Sequence, residues 1–230
     1  MTAGALAGIS AEVVACSRCP RLRAWCARVA QEKRAAYRGE EYWGLPVPSF
    51  GDPRARLLLI GLAPGAHGAN RTGRMFTGDD SADFLTAALH RVGLADRPTS
   101  RRRDDGLRLD GVWVTAAAHC APPTNRPSLE ELDRCRSFLA RELRALPLLR
   151  VVVPLGGIAF AAAGDAFREA GWDWPRPRPR FAHGARVEPA GGRPLVIASY
   201  HPSRQNTRTG RLTPGMLETV LRQARAAAEL

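Results

Sequence analysis

The residues best suited to chemistry lie in one glycine-rich stretch, GLAPGAHGANRTGRMFTGD at residues 61–79. It follows a short apolar run, which predicts a buried parallel strand opening into a loop. Its five glycines allow the backbone to approach a ligand closely. The same loop carries two cations, Arg71 and Arg74, the aromatic ring of Phe76 and the carboxylate of Asp79. This combination fits a polyanion with a flat base attached to it.

A nucleotide-triphosphate loop is a second interpretation of the same stretch. Gly68 and Gly73 have the spacing of a Walker A motif, in which a lysine and then a serine or threonine follow the last glycine. Here Arg74 and Met75 occupy those two positions, so both chemical residues of the motif are missing. The motif therefore gives this interpretation little support.

A second polar loop, HPSRQNTRTGR at residues 201–211, follows the last predicted strand. Its hydroxyls, amides and arginines can bind phosphate, and Arg and Gln can also reach base edges. His201, at the strand end, can stabilise negative charge on a leaving group. The alternative is a solvated polar loop with a hydrogen-bonded histidine. The predicted DNA contacts are Arg71 and Arg74 from the first loop and Ser203, Arg204, Gln205, Asn206, Arg208 and Arg211 from the second.

Four of the five cysteines are spaced in a way that suits metal binding. Cys16 and Cys19 form a CxxC pair, and Cys120 and Cys135 bracket the start of a predicted helix. Four thiolates can hold zinc or an iron–sulfur cluster, and spacing alone does not separate the two. Burial of Cys120 and Cys135 as small apolar residues is the simpler alternative. A metal would tie the N-terminal segment to a distant loop and stabilise the fold.

The net charge points to an acidic partner. There are 34 Lys and Arg residues against 22 Asp and Glu, a balance of +12, and Lys33 is the only lysine. An excess of this size makes nucleic acid the expected partner. No apolar run approaches the roughly 20 residues needed to cross a bilayer, and the N-terminus lacks a secretory signal. We therefore expect a cytoplasmic monomer with no membrane association.

Apolar, β-prone runs alternate with helix-like segments along the chain. Strands are predicted at 56–62, 112–116, 150–155 and 194–200, and helices at 81–92, 128–146, 157–170 and 214–230. This alternation predicts an α/β fold, a three-layer α/β/α sandwich around a central four-stranded parallel sheet, in one domain over residues 1–230. The carboxyl ends of all four strands lead into segments that contain glycine, proline or histidine. One site built from several loops is therefore expected at that edge.

With these motifs assembled, the chain resembles the uracil-DNA glycosylase superfamily, and within it family five, the type-b enzymes. The resemblance covers almost the whole chain and rests on residues 61–79, HCAPPTNRP at 119–127, HPSRQNTRTGRLT at 201–213 and the four cysteines. It implies a [4Fe–4S] cluster on Cys16, Cys19, Cys120 and Cys135. It also implies a base-excision-repair enzyme that flips out and hydrolyses off uracil, with other deaminated bases such as hypoxanthine or xanthine, leaving an abasic site.

The resemblance also implies roles for individual residues. Asp79 and Asn125 would hold the attacking water, and His201 would stabilise the departing base anion. Related four-cysteine glycosylases carry Glu at the position of Leu62 and Asn at the position of Ala116, and these departures imply a wider range of bases. The flipped base would stack on Phe76 and be surrounded by backbone donors at Gly61, Ala63 and Gly65.

Three further interpretations bear on function. Lys33 lies outside every motif, so we do not expect a strand-cutting reaction through a Schiff base. We expect a monofunctional glycosylase instead. Phe76 as a core aromatic is the alternative to a stacking role. The rival functions are a non-catalytic nucleic-acid-binding module stapled by zinc and an enzyme acting on free nucleotides.

Overall fold

The computed structural model describes residues 2–191 and 194–230. Its sheet has six strands in the order β1-β3-β2-β4-β6-β5. The four central strands, β3, β2, β4 and β6, are parallel, as the sequence predicts. Two-residue strands β1 and β5 add antiparallel edges, which the sequence did not predict because so short a strand has no periodic pattern. The strands are β1 Phe50–Gly51, β2 Leu57–Gly61, β3 Val112–Ala116, β4 Val151–Pro154, β5 Arg186–Val187 and β6 Leu195–Ile197.

The four predicted helices all form, as α4, α5, α6 and α8. Ser128 and Glu131 make the capping box that begins α5. No helix in residues 2–191 or 194–230 has the length and apolar character to cross a membrane. The helices are α1 Thr2–Val14, α2 Pro20–Glu32, α3 Ala69–Thr72, α4 Asp80–Arg91, α5 Leu129–Ala145, α6 Gly157–Glu169, α7 Arg204–Arg208 and α8 Pro214–Ala228.

Helices cover both faces of the sheet, which confirms the predicted three-layer sandwich. Successive side chains of a strand point to opposite faces, and β2 follows this rule. Leu57 and Leu59 pack into a core with α4 and α8, whereas Leu58 and Ile60 pack into a second core with α5 and α6. All four leucine and isoleucine side chains are fully buried. The sheet is thus a rigid base for the loops at its edge.

The parallel strands end together and deliver their loops to one edge. The Ala117 N–H donates to the Gly61 carbonyl at 3.0 Å, which joins the loops after β2 and β3. The Gly156 N–H donates to the Ser199 carbonyl at 2.7 Å and joins the loops after β4 and β6. Sequence-distant motifs are therefore brought to the same place.

Candidate active site

A cavity of about 720 Å³ opens at this edge of the sheet. The volume suits a ligand the size of a nucleoside. Of the residues predicted to do chemistry or bind the base, the cavity is lined by Ala63, Gly65, Phe76, Asp79, Asn125 and His201, and three predicted DNA contacts, Ser203, Arg204 and Gln205, also line it. Gly61 is the exception, because it lies within β2 beneath the ring of Phe76.

Asp79 lies at the junction of the glycine-rich loop and helix α4. As the N-cap of α4, its Oδ1 accepts a hydrogen bond from the Ala82 N–H at 2.9 Å. Burial raises the pKa of Asp79 above its ordinary value, although the backbone N–H groups of Ala82 and Ser81 oppose the shift. A carboxylate of raised basicity at a cavity wall is well placed to accept a proton.

The glycines of the loop make room for catalytic side chains. A Cβ on Gly65 would lie 2.5 Å from Asp79 Oδ2, and one on Gly68 would overlap the same oxygen. A Cβ on Gly61 would lie 2.8 Å from the ring of Phe76. Gly65 and Gly68 therefore make room for the Asp79 carboxylate, and Gly61 makes room for the Phe76 ring.

His201 and Phe76 lie side by side in the cavity. Their ring centroids are 6.2 Å apart, with 33° between the ring planes. Burial lowers the pKa of His201 to about 4, so the ring is neutral at neutral pH. Asn206 fixes the histidine backbone, since its Nδ2 donates to the His201 carbonyl at 2.8 Å. Phe76 also packs on the core beside α4. Its position is therefore compatible with both predicted roles, stacking on a base and packing in the core.

Asn125 reaches the same cavity from the loop after β3. It ends a short 3₁₀ helix, Pro123–Asn125, and has a φ of 57°. This left-handed conformation is one that asparagine adopts more readily than most residues. Asn125 is exposed and lines the same cavity as Asp79, which lies in the loop after β2.

The loop at 201–211 is an exposed, basic rim. Ser203 caps the short helix α7 through a hydrogen bond that its Oγ accepts from the Asn206 N–H at 3.4 Å. Arg204 pairs with Asp80 at 2.6 Å at the surface. The Arg211 guanidinium lies 4.7 Å from the centre of the Tyr200 ring. Gln205, Arg208 and Arg211 are exposed, so their side chains are free to meet DNA and that role stays a prediction.

Arg71 and Arg74 do not fit the predicted role as DNA contacts, because both are buried in internal ion pairs. Arg71 pairs with Glu40, donates to the His67 carbonyl at 2.8 Å and stacks 3.9 Å from the centre of the Tyr37 ring. A guanidinium with these partners is not available to a phosphate. The arginines hold the loop together from inside.

Arg74 is the anchor of the loop that begins at Ser100. Its Nη2 donates to both oxygens of Asp105 at 2.8 Å and to Ser100 Oγ at 3.0 Å, while its Nε donates to Thr77 Oγ1 at 2.9 Å. Burial raises the pKa of Asp105, but hydrogen bonds from the Leu107 N–H, the Arg74 guanidinium and the N–H groups of Arg101 and Arg102 lower it to about 2.

Arg74→Gln should therefore lower the free energy of unfolding by about 3 kcal/mol, because it leaves a partly buried carboxylate without its charged partner. Urea unfolding measures the loss. Arg102→Gln is the matched control, because Arg102 is exposed in the same loop. Unchanged stability together with weaker DNA binding would restore the phosphate-contact role of Arg74.

The four predicted metal ligands converge, although they come from three separate parts of the chain. Cys16 follows α1, Cys19 caps α2, Cys120 follows β3, and Cys135 lies in α5. All four line one small cavity of about 20 Å³. The fifth cysteine lies beside them, with its Sγ 3.5 Å from the Ala121 carbonyl.

Burial and the closeness of the sulfurs to one another affect the ionisation of the thiols in this cysteine cavity. Burial raises the pKa of Cys135 to about 12, and the neighbouring sulfurs of Cys16 and Cys19 add to the effect. Within the described ranges, no group of three or more His, Cys, Asp or Glu side chains is arranged to hold a single metal ion. The donor set is four sulfurs around one space, and both structural zinc sites and iron–sulfur clusters use such a set.

Two residues of the cavity wall have no motif or pattern in the sequence that indicates them. Arg34 and Tyr37 line the cavity beside the short 3₁₀ helix Ala35–Tyr37. They belong to a segment with no motif and no periodic pattern. Their position depends on tertiary packing of α2 against the loop after β2.

Comparison with known proteins identifies the family. Residues 48–225 match the sequence profile of the uracil DNA glycosylase superfamily. A type-5 uracil-DNA glycosylase of Thermus thermophilus is 53% identical over 218 residues, which cover 95% of this chain and 96% of that protein. Type-5 uracil-DNA glycosylases of Mycobacterium bovis and Pyrobaculum aerophilum are 48% and 47% identical, over 98% and 94% of this chain and 83% and 90% of theirs. The chain therefore belongs to the uracil-DNA glycosylase superfamily, in its type-5 branch.

Proposed function

We propose that this protein is a monofunctional uracil-DNA glycosylase, which hydrolyses the bond between uracil and deoxyribose in DNA and leaves an abasic site. The observation that carries the proposal is one cavity lined by Asp79, His201 and Phe76, in a chain that belongs to this family. A target base within a duplex must first rotate out of the helix to reach such a cavity. The exposed arginines at 204, 208 and 211 support a DNA substrate, because they form a basic rim beside it.

Phe76 is the residue on which the extruded base would stack. Base stacking on an aromatic ring contributes about 1–3 kcal/mol and tolerates different bases. The ring lines the cavity and is supported from behind by Gly61. Leu62 and Ala116 line the same cavity without polar side chains. This wall favours a wide set of bases, so we include hypoxanthine and xanthine among the proposed substrates.

Asp79 and Asn125 would hold the water that attacks the sugar. Asp79 Oδ1 is engaged at the N-terminus of α4, which leaves Oδ2 to accept a proton from the water. Asn125 would orient the water from the facing loop. Neutral His201 would donate a hydrogen bond to the departing base and stabilise its negative charge. No amine is needed for this sequence of steps.

The cysteine cavity would hold a [4Fe–4S] cluster on Cys16, Cys19, Cys120 and Cys135. The convergence of four sulfurs on one enclosed space supports this assignment. When bound, the cluster would cross-link the N-terminal helices to the loop after β3. We assign the cluster a structural role. It would hold in place the loop after β3, which carries Asn125 to the active site.

Cys16→Ser should lose most of the bound iron and unfold at a lower temperature, because one of four ligands is missing. Iron and acid-labile sulfide analysis of the purified protein should give about four of each per chain for the wild type. Cys26→Ala is the matched control and should keep its iron. One zinc per chain and no sulfide would contradict the cluster and favour a zinc staple.

The proposed substrate range is tested with a panel of duplexes, each carrying one uracil, hypoxanthine or xanthine, assayed for alkali-sensitive sites. We expect cleavage after alkali at uracil, and at the two purines at lower rates. Release of uracil alone would confine the enzyme to that base. Binding to all duplexes without any alkali-sensitive site would favour the non-catalytic nucleic-acid-binding module instead.

A further inference from the structure

His67 lines the cavity of the proposed active site, and the mechanism above gives it no role. Buried Tyr42 holds its ring: Tyr42 Oη lies 3.1 Å from His67 Nδ1, and the two rings meet edge to face with centroids 6.1 Å apart. The backbone is held as well, because buried Arg71 donates to the His67 carbonyl. The imidazole is thus fixed in position before any ligand arrives.

The hydrogen bonds around Tyr42 favour the tautomer of His67 that carries its proton on Nε2. The Arg34 N–H donates to Tyr42 Oη at 3.4 Å. In the described part of the chain, His67 Nδ1 is the one acceptor within reach of the tyrosine hydrogen, so we assign Nδ1 as the acceptor of this bond. A neutral imidazole that accepts at Nδ1 carries its own proton on Nε2.

The remaining nitrogen faces open space. Burial lowers the pKa of His67, and the positive charges of Arg34 and Arg71 lower it further, so the ring is neutral at neutral pH. His67 Nε2 has no hydrogen-bond partner in the described part of the chain and is not enclosed by protein atoms. The cavity therefore contains a fixed N–H donor that no protein group uses.

We propose that His67 Nε2–H recognises the extruded base by donating a hydrogen bond to the carbonyl oxygen that deamination creates; this inference rests on the proposed function. Deamination replaces an exocyclic amine by a carbonyl, as cytosine becomes uracil, adenine becomes hypoxanthine and guanine becomes xanthine. Each conversion turns a donor into an acceptor. A fixed donor pairs with the deaminated base, whereas it meets the amine of the parent base donor to donor.

The apolar wall of the cavity supports a role for this one donor. Leu62 and Ala116, at the ends of β2 and β3, offer no polar side chain to the base. Recognition by a single carbonyl contact does not depend on the size or pattern of the ring. One residue would thus admit several deaminated bases and exclude their parents.

His67→Phe keeps a ring of similar shape and removes the donor. We expect it to lower the single-turnover rate of uracil excision, at saturating enzyme, by about 10- to 100-fold, since the base carbonyl loses its partner. His67→Gln keeps an amide donor and should retain more of the rate. Tyr42→Phe should give an intermediate loss, because the proton on the imidazole is no longer directed to Nε2.

Two controls separate base recognition from a structural effect. His90→Phe changes an exposed histidine of α4 and should leave the rate unchanged. Binding to a duplex with a tetrahydrofuran abasic analogue, which has no base, should be the same for His67→Phe and the wild type. Equal losses in that binding and in excision, or an unchanged excision rate, would overturn the assignment. If the wild type releases no uracil, the proposed function fails first, and this inference falls with it.

Discussion

Asp79→Asn should lower the single-turnover rate of uracil excision by about 10²- to 10⁴-fold, the usual contribution of a positioned general base. The substitution removes the basic oxygen that faces Gly65 and Gly68. It keeps the N-cap of α4, because asparagine caps helices as well as aspartate does. The loss is therefore expected in the chemical step, with stability nearly unchanged. Gel analysis of alkali-treated duplex over time measures the rate.

A second cap provides the matched control. Thr213→Ala removes the N-cap of α8, whose side chain accepts from the Met216 N–H and does not line the cavity. It should cost about 1 kcal/mol of unfolding free energy and leave the excision rate unchanged. Near-wild-type excision by Asp79→Asn would show that another group activates the water. Equal losses of stability in both variants, with no loss of rate, would reduce Asp79 to a cap.

His201→Phe should lower the same single-turnover rate by about 10²- to 10³-fold, because the departing base loses a preorganised donor. Affinity for uncleaved DNA should change little, since the ring acts mainly on charge that develops during the reaction. Single-turnover rates at saturating enzyme separate the two effects. A loss confined to binding would contradict the leaving-group role.

The same variant also tests whether burial keeps the His201 ring neutral in the folded protein. Its pKa is 6.5 when exposed and about 4 in the folded chain, so between these values the unfolded chain takes up a proton that the folded chain does not. The free energy of unfolding should therefore fall as the pH drops from about 6.5 towards 4. Urea unfolding over this range should show a smaller fall in His201→Phe. Equal falls would mean that His201 is not held neutral.

Strong periodic patterns made most of the fold predictable. The runs at 57–61 and 112–116 are almost wholly apolar, which is typical of strands buried on both faces. Helix α5 begins with a capping box, which is visible in the sequence. Helices α1 and α2 were not predicted. Helix α1 has a weak apolar stripe, and it is placed by packing of Leu6, Ile9 and Val13 against the rest of the chain.

The site was predictable where chemistry depends on residue type, and less so where it depends on burial. Asp79, Asn125 and His201 share a cavity because parallel strands deliver their loops to one edge. Arg71 and Arg74 lie in the same loop as Asp79, yet both form ion pairs with carboxylates of the protein itself. Sequence cannot distinguish a buried guanidinium from an exposed one when its acidic partner, Asp105, lies in another loop.

The most direct test of the central claim is product analysis on a duplex with a single uracil and no alkali treatment. We expect free uracil and an intact strand with an abasic site. No protein–DNA adduct should form after borohydride reduction, because Lys33 does not line the cavity. Absence of free uracil would contradict the glycosylase itself. Strand cleavage with a trapped adduct would contradict hydrolysis by water held at Asp79.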